Sequence, residues 1–254
     1  MKLSIVIPAY NEEGCIEETV TNLVRAFEES SIDSEILVIN DNSTDTTEQI
    51  LKKLEAQYLA VKYLNNRNPQ GFGFAIRYGL ENFSGEAVAI VMADNSEPPE
   101  DVVKFFNKLQ EGYDCVFGSR FIKGGETINY PVFKLFVNRC ANMFISTLFG
   151  MRYNDTTNAF KMYRRHTIDG LTPFLSHHFN LTVEMPLKAI TRGFSYAVLP
   201  NRYINRTVGE SKLKLKEMGS RYLFIVLYCL IEKWLSLGDY NKDKLLSHSD
   251  KDQK

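Results

Sequence analysis

The sequence predicts an α/β fold in which helices cover both faces of a mainly parallel central sheet. Short runs of branched apolar residues alternate with longer segments in which apolar residues recur every three or four positions. Continuous apolar runs are typical of strands buried in parallel sheets, and the longer period is typical of amphipathic helices. Polar loops follow several of these strands, at the positions where ligands bind on such sheets.

The strands and helices of the first half follow from these patterns in order. Ile16, Val20 and Phe27 share one face of the first helix. Capping residues precede position 45, and Pro99 stands in a first helical turn, where proline is tolerated. Strands are expected at 3–7, 35–39, 61–64, 87–93 and 114–119, and helices at 15–29, 45–57, 71–83 and 99–112.

The second half is less regular, and two apolar helices stand out in it. The helix expected at 132–149 carries a polar stripe formed by residues four apart, namely Lys134, Asn138, Asn142 and Ser146. Further elements are a helix at 180–192, a strand at 196–204 and a long apolar-centred helix at 212–237. The polar composition of 238–254 predicts a disordered tail. We therefore expect one domain over 1–237 followed by this tail.

Composition excludes several classes of protein. A formal net charge of -1 over 254 residues argues against a nucleic-acid partner, which requires a basic surface. The four cysteines, at positions 15, 115, 140 and 229, have no metal-binding spacing, and the apolar run 3–7 is too short for a signal peptide. We expect reduced thiols and a cytoplasmic protein. The apolar run 222–231 is shorter than the roughly 18 residues of a membrane span, so the chain is expected to lie on a membrane rather than cross it.

Two of the polar strand-end loops carry groups that suit a nucleoside. In "VIPAYNEE", Tyr10 and Glu12 are able to stack against and hydrogen-bond a base, although an ordinary turn explains the loop equally well. In "VINDNSTDTT", Asp41 is placed to accept hydrogen bonds from ribose or base, and helix capping is the structural alternative.

The other two loops suit phosphate and metal. "NPQGFGFAIRYG" lacks the third glycine of a dinucleotide fingerprint, because Ile76 occupies that position, so Gly71 and Gly73 instead allow the backbone to approach a ligand. Asp94 ends the strand in "VAIVMADNSEPPE" and is placed to hold a divalent cation such as Mg²⁺ or Mn²⁺. Taken alone, an acid before two prolines is more often a turn former.

These loops in order, with "PAYNE", "PPE", "GSR" and "GESK", resemble the family-2 glycosyltransferases of the GT-A fold. The similarity covers residues 3–220 and is greatest to the dolichyl- and polyprenyl-phosphate sugar transferases. It implies a single GT-A domain whose C-terminal amphipathic helices lie at a membrane interface. It implies catalytic roles for Asp94, Arg120, Arg206 and Lys212, and nucleotide contacts for Pro8, Tyr10, Glu12, Asn40, Asp41, Gly71 and Ser211.

The chain departs from the family pattern at two acidic motifs. Asn40 replaces the first acid of the pair near the base, and Met92 replaces the first acid of the metal motif. A thioether does not replace a carboxylate for a hard cation. We expect Asp94, Ser96 and Glu97 to form the metal site, with Glu97 restoring the lost charge.

The resemblance implies an inverting enzyme that moves a hexose from a nucleotide sugar, GDP-mannose or a UDP-sugar, to a polyprenyl phosphate. It would act at the cytoplasmic face of the membrane as a peripheral protein. The apolar helices would then contact the membrane, a second copy of the chain or a membrane partner subunit. One alternative is a transferase with a hydroxyl acceptor, which needs a general base such as Asp155 or Glu184. Another is a nucleotide-sugar-binding protein with degraded catalysis. The histidines, at positions 166, 177, 178 and 248, are expected to be surface or loop residues.

Overall fold

The computed structural model describes residues 1–204 and 215–249. Its strands are β1 (Leu3–Ala9), β2 (Ser34–Asn40), β3 (Val61–Asn65), β4 (Ala87–Ile90), β5 (Cys115–Ser119), β6 (Glu126–Ile128), β7 (Lys161–Arg164), β8 (Tyr196–Pro200) and β9 (Arg202–Ile204). Its helices are α1 (Ile16–Glu29), α2 (Thr47–Gln57), α3 (Phe72–Asn82), α4 (Pro99–Gln110), α5 (Val132–Phe149), α6 (Arg165–Leu171), α7 (Leu181–Thr191), α8 (Leu215–Leu235) and α9 (Lys242–Ser249).

The central sheet confirms the predicted fold class. Its strand order within these residues is β3-β2-β1-β4-β7-β5-β8. Every neighbouring pair is parallel except those made by β7, which runs antiparallel to both β4 and β5. A second, small sheet pairs β6 with β9. The carboxyl ends of β1, β2 and β4 therefore meet at one edge.

Helices cover both faces of the sheet because alternate residues of each strand point to opposite sides. In β1, Ile5 and Ile7 pack against α1, α2 and α4, whereas Val6 packs against α3 and α7 on the other face. A third apolar cluster joins α5, α7 and α8 beside the sheet. The ammonium group of Lys233 donates to the carbonyl of Phe149 at 2.6 Å and so ties α8 to the end of α5.

The region predicted as one strand at 196–204 is instead divided at Asn201. The Asn201 side chain accepts a hydrogen bond from the Asn158 amide at 2.9 Å, and the chain then leaves the main sheet to pair with β6. The sequence analysis did not predict β6, β7 or α6. β7 is short and carries charged residues at both ends, so its pattern does not resemble a buried strand.

In the segment expected to be disordered, residues 242–249 form α9. The backbone N–H of Lys242 donates to the carbonyl of Arg192 at 2.8 Å, and its ammonium group lies 3.4 Å from the Asp114 carboxylate. These contacts hold the polar helix α9 against the domain. Composition alone predicts disorder for this segment and does not predict the helix. The division of the chain at residue 237 remains a prediction.

Among the helices that the structure describes, none combines the length and the apolar character required to cross a bilayer.

Candidate active site

A pocket of about 1110 Å³ opens at the edge where β1, β2 and β4 end. It continues away from the sheet between α5 and α8. Many of the residues predicted from separate loops line this one cavity, namely Pro8, Tyr10, Glu12, Asp41, Gly71, Asp94, Glu97 and Arg120. They come together because parallel strands place the loops at their carboxyl ends side by side.

The loops after β1 and β2 hold each other in place. The backbone N–H of Glu12 donates to the Thr47 hydroxyl at 2.9 Å, and that of Asn11 donates to the Ser43 hydroxyl at 3.1 Å. Asn11 has a positive φ of 52°, a conformation that asparagine tolerates better than most residues. These contacts position Tyr10 and Glu12 at the pocket wall.

Asp41 joins the second and third loops. Its carboxylate accepts from the Asn66 amide at 2.7 Å and from the backbone N–H of Gly71 at 2.9 Å. Asp41 is only 4% exposed, yet it lines the pocket. Since a carboxylate has about four acceptor positions, Asp41 keeps acceptor capacity for a ligand.

Asn40 does not line the pocket, although it was predicted to contact the nucleotide. Its amide donates to Asn65 at 2.7 Å, and its oxygen accepts from the backbone N–H of Ser43 at 3.3 Å. An amide both donates and accepts, which an ionised carboxylate cannot do. Asn40 therefore supports the loops beneath the pocket as both a donor and an acceptor.

The turn after β4 holds two acids in the pocket. Asn95 has φ 56°, and the backbone N–H of Ser96 donates to the Asp94 carboxylate at 3.3 Å. The carboxylate of Glu97 accepts from the backbone N–H of Met92 at 3.1 Å. Met92 thus contributes its backbone to the site by donating to Glu97, and the compensation of Met92 by the Glu97 charge stays a prediction.

Glu97 is difficult to ionise because it is buried and lies beside a second acid, Asp94. Burial, and secondly the negative charge of Asp94, raise the pKa of Glu97 to about 8. Such a pair is stabilised by a proton or by a cation. The residues that the structure describes contain no group of three His, Cys, Asp or Glu side chains arranged for a metal. Mg²⁺ commonly uses one or two carboxylates together with substrate phosphates, so Asp94 and Glu97 suit it.

Ser96, the third predicted metal ligand, is buried and does not line the pocket. Its hydroxyl oxygen has no hydrogen-bond partner among the described residues. Its carbonyl accepts from the backbone N–H of Ile204 at 3.2 Å, which attaches β9 to the acidic turn. The predicted role of the Ser96 hydroxyl in metal binding stays a prediction.

Arg120 forms a buried ion pair with Asp155. Its guanidinium donates to both carboxylate oxygens at 2.8 and 2.6 Å, and its backbone N–H also donates to Asp155 at 2.9 Å. Burial opposes the charge, but the Asp155 carboxylate outweighs it and raises the pKa of Arg120 above its usual value. Arg120 is therefore a permanent cation at the pocket wall in a fixed orientation.

Several pocket residues were missed by sequence reasoning. Tyr130 and Tyr203 pack edge to face at 5.6 Å, and Arg120 lies within 6 Å of both rings. Burial and the nearby charges of Asp94 and Glu97 raise the pKa of Tyr203 to about 12. Tyr130 lies in the loop before α5 and Tyr203 in the three-residue strand β9, and neither segment is long enough to carry a periodic signal, so only the fold brings the two rings together.

His178 was predicted to be a surface or loop residue, and it does lie in a loop. It also lines the pocket, together with Phe179. The Phe179 ring stacks on Phe72 with centroids 4.1 Å apart. The only sequence signal for this contact is the pair of aromatic residues that flank glycines in "GFGF".

The far half of the pocket is mainly apolar, with a few polar side chains such as Lys134, Asn138 and Arg221. Apolar residues of α5 and α8 form its wall, including Val137, Ala141, Phe144, Leu223 and Val226. Of the predicted polar stripe of α5, Lys134 and Asn138 line the pocket. Asn142 accepts from the Thr156 hydroxyl at 2.7 Å, and the Ser146 hydroxyl donates to the carbonyl of Met143 in its own helix. This end suits a ligand with an aliphatic part.

Both helices also expose large apolar side chains outside the pocket. They include Val132, Phe133, Phe136 and Met143 on α5, and Phe224, Leu227, Ile231, Trp234 and Leu235 on α8. Exposed clusters of this kind mark contacts with a membrane or with another protein.

Three predicted site residues, Arg206, Ser211 and Lys212, lie outside the residues that the structure describes. Their predicted roles stay predictions.

Comparison with known proteins gives one family match and several relatives. Residues 4–191 match the model of the glycosyl transferase family 2. A dolichol-phosphate mannosyltransferase from Pyrococcus furiosus is 30% identical over 221 residues, which cover 85% of this chain and 60% of that protein. An undecaprenyl-phosphate mannosyltransferase from Micrococcus luteus is 27% identical over 93% of this chain and 98% of its own length. A polyprenol monophosphomannose synthase from Mycolicibacterium smegmatis is 28% identical over 82% of this chain and 80% of its own.

The fold also matches solved structures. Glucosyl-3-phosphoglycerate synthase from Mycobacterium tuberculosis, crystallised with Mn²⁺, UDP-glucose and phosphoglyceric acid, aligns with a TM-score of 0.68. The match covers 91% of this chain and 79% of the synthase at 18% identity, so the likeness is one of fold.

Proposed function

The chain belongs to glycosyl transferase family 2 and has a GT-A-type fold, and on this premise we propose that it is an inverting hexosyltransferase acting on a lipid phosphate. The hexose passes from a nucleoside diphosphate sugar to a polyprenyl phosphate at the cytoplasmic face of a membrane. The observation that carries this proposal is the shape of the pocket, whose acidic edge continues into an apolar wall between α5 and α8. Such a cavity suits a diphosphate at one end and an aliphatic chain at the other.

The acceptor is proposed to be a phosphate because a hydroxyl acceptor would need a general base to remove its proton. A phosphate oxygen is already anionic, so it attacks the anomeric carbon without losing a proton, and the nucleoside diphosphate leaves with the electrons of the broken C–O bond. The candidate bases for a hydroxyl acceptor were Asp155 and Glu184. Both are 0% exposed and paired, with Arg120 and Lys188 respectively. Neither is free to accept a substrate proton.

The residues of the acidic edge are proposed to hold the donor. Tyr10 and Asp41 would orient the nucleoside, and the fixed charge of Arg120 would face the phosphates. A Mg²⁺ or Mn²⁺ ion held by Asp94 and Glu97 would neutralise the charge of the leaving diphosphate. Two relatives are named mannosyltransferases and the third a polyprenol monophosphomannose synthase, which favours GDP-mannose as the donor, with UDP-sugars as the alternative.

A peripheral contact with the membrane is proposed from the exposed apolar side chains of α5 and α8. A lipid phosphate has to leave the headgroup layer to reach the pocket, and these helices form the apolar end of that pocket. A second copy of the chain or a membrane partner subunit would cover the same surface.

The decisive experiment measures lipid-linked product. The protein is incubated with radiolabelled GDP-mannose or UDP-glucose, Mn²⁺ and vesicles that contain undecaprenyl phosphate. We expect label in the organic phase that mild acid releases. Vesicles with undecaprenol in place of its phosphate are the matched control and should give no product, since the two candidate bases, Asp155 and Glu184, are buried and paired. Two results would contradict the proposal. One is product in the vesicles that contain undecaprenol, and the other is the absence of product with every donor and every vesicle tested.

Nucleotide-sugar binding without catalysis is the second candidate, and the Met92 substitution favours it. Calorimetry separates the two. Metal-independent binding of GDP or UDP with no turnover in the vesicle assay would support this alternative.

Replacing Glu97 by alanine is expected to weaken the binding of the metal that transfer depends on. Glu97 supplies the second carboxylate of the pair, so its loss should raise the Mn²⁺ concentration for half-maximal transfer by about tenfold, the size found for groups that support metal sites. The measurement is a Mn²⁺ titration of the vesicle assay, with the exposed Glu100 changed to alanine as the matched control. An unchanged titration curve in the Glu97 variant would show that Glu97 does not compensate for Met92.

A further inference from the structure

Glu184, a candidate base by its sequence position, is engaged entirely in holding a neighbouring loop. One carboxylate oxygen accepts from the backbone N–H of Leu175 and the other from that of Ser176, both at 2.8 Å. The Lys188 ammonium lies 2.7 Å from the same carboxylate and donates to the carbonyl of Pro173. Residues 173–179 are here called the donor-side loop. Glu184 and Lys188 together make hydrogen bonds to three backbone groups of this loop.

The donor-side loop packs closely on residues 71–74, here called the glycine segment. The backbone N–H of Gly73 donates to the carbonyl of His177 at 3.1 Å. The rings of Phe72 and Phe179 stack at 4.1 Å, and those of Phe74 and His177 stack at 4.4 Å. A Cβ atom at Gly73 would lie 2.5 Å from the backbone carbon of His177, so only glycine allows this approach.

The glycine segment in turn holds Asp41, through the hydrogen bond from Gly71 at 2.9 Å. His178 and Phe179 of the donor-side loop line the same pocket as Asp41. A continuous set of contacts thus runs from α7, through the loop and the glycine segment, to the acid proposed to contact the nucleoside.

We propose that Glu184 is a positioning residue for the nucleotide, which fixes the donor-side loop against the glycine segment and so sets the place of Asp41. This inference rests on the proposed function, because it takes the pocket to bind a nucleoside diphosphate. Glu184 does not touch the ligand. Its effect is therefore expected in donor affinity and not only in stability.

The chain offers a matched control on the same helix bundle. Arg192, which follows α7, pairs with Glu232 of α8 through two hydrogen bonds of 2.8 and 2.9 Å. This pair is buried, as is the pair of Glu184 and Lys188. The Glu232 carboxylate, however, connects α8 to the end of α7, whereas the Glu184 carboxylate binds the backbone of the donor-side loop. Arg192 also donates to the carbonyls of Gly170 at 2.7 Å and Thr172 at 3.3 Å, just before the donor-side loop. Glu232→Gln leaves those donors and the Glu184–Lys188 pair in place, so it should cost stability without releasing the donor-side loop.

The experiment compares Glu184→Gln with Glu232→Gln in the full chain. Thermal midpoints are measured first, and then the Kd of GDP and of UDP with Mn²⁺ by calorimetry, well below both midpoints. We expect both variants to have lower midpoints. Only Glu184→Gln should bind the nucleotide more weakly, by about tenfold, the size seen when an orienting residue is lost.

The Gly73→Ala variant tests the same contact from the other side, and it decides the question if Glu184→Gln does not fold. It leaves Glu184 and Lys188 intact but forces the loop away, so it should weaken nucleotide binding similarly. Equal losses of affinity in Glu184→Gln and Glu232→Gln would overturn the inference, as would wild-type affinity in Gly73→Ala or Glu184→Gln. If the wild-type chain binds neither nucleotide, the proposed function fails and the inference fails with it.

Discussion

Replacing Asp94 by alanine is expected to abolish hexose transfer while the protein remains folded. Asp94 and Glu97 are the acids of the β4 turn that line the pocket, and Met92 leaves no other side-chain carboxylate in that motif. If Asp94 and Glu97 hold the cation that neutralises the leaving diphosphate, the loss of Asp94 should lower kcat by about a thousandfold, as for other groups that stabilise developing charge. The vesicle assay with saturating donor measures this directly.

Stability should change in the opposite direction from activity. Glu97 is buried, and its pKa is raised to about 8 by that burial and by the charge of Asp94. Removing Asp94 eliminates the repulsion, so Glu97 should ionise at lower pH and the thermal midpoint should stay equal or rise. Asp94→Asn is the matched variant, because it keeps an acceptor for the Ser96 N–H but loses the charge. Transfer within tenfold of wild type in either variant would contradict this role for Asp94.

Replacing Asp155 by asparagine is expected to produce the largest loss of stability of any substitution considered. Asp155 is 0% exposed and neutralises the buried guanidinium of Arg120 through two side-chain hydrogen bonds. Leaving one charge of such a pair unpaired costs about 3–5 kcal/mol. For a chain of this size the thermal midpoint should fall by about 10 °C. Calorimetry or circular dichroism measures the shift.

A double variant separates the stability of this pair from its chemistry. Changing Asp155 to leucine and Arg120 to methionine together removes both charges, and such replacements often recover most of the lost stability. Transfer should not recover, because the pocket has lost its fixed cation. Asp169, an exposed carboxylate, is the control, and its change to asparagine should leave the midpoint unchanged. Full activity in the double variant would show that Arg120 serves only the fold.

The elements of the first half, and α5 in the second, were predictable because their signals are local. The predicted helix at 132–149 has the bounds of α5, and the strands and helices of the first half differ from the prediction by at most a few residues. Apolar periodicity and proline placement depend on neighbours along the chain, so they can be read without the fold. The gathering of the loops was also predictable, since parallel strands end at one edge.

The antiparallel β7 could not be predicted in this way. It lies between β4 and β5, and it begins with Lys161, a lysine that is 1% exposed. Burial lowers the pKa of Lys161 to about 7, and its ammonium group donates to the carbonyl of Thr156 at 3.1 Å. A sequence pattern treats lysine as a surface residue, because the carbonyls of Thr156 and Asn158 that accept from it reach it only in the loop conformation that the fold supplies.

The sequence by itself determined the α/β class, the family resemblance and eight of the residues that line the pocket, because strand patterns and strand-end motifs are written in consecutive residues. Only the tertiary structure decided what several of those residues do. It turned Asn40 away from the pocket, paired Asp155 with Arg120, and engaged Glu184 with Lys188 and the donor-side loop. The physical reason is that the role of a buried polar group depends on its partner, and these partners come from other strands, helices and loops.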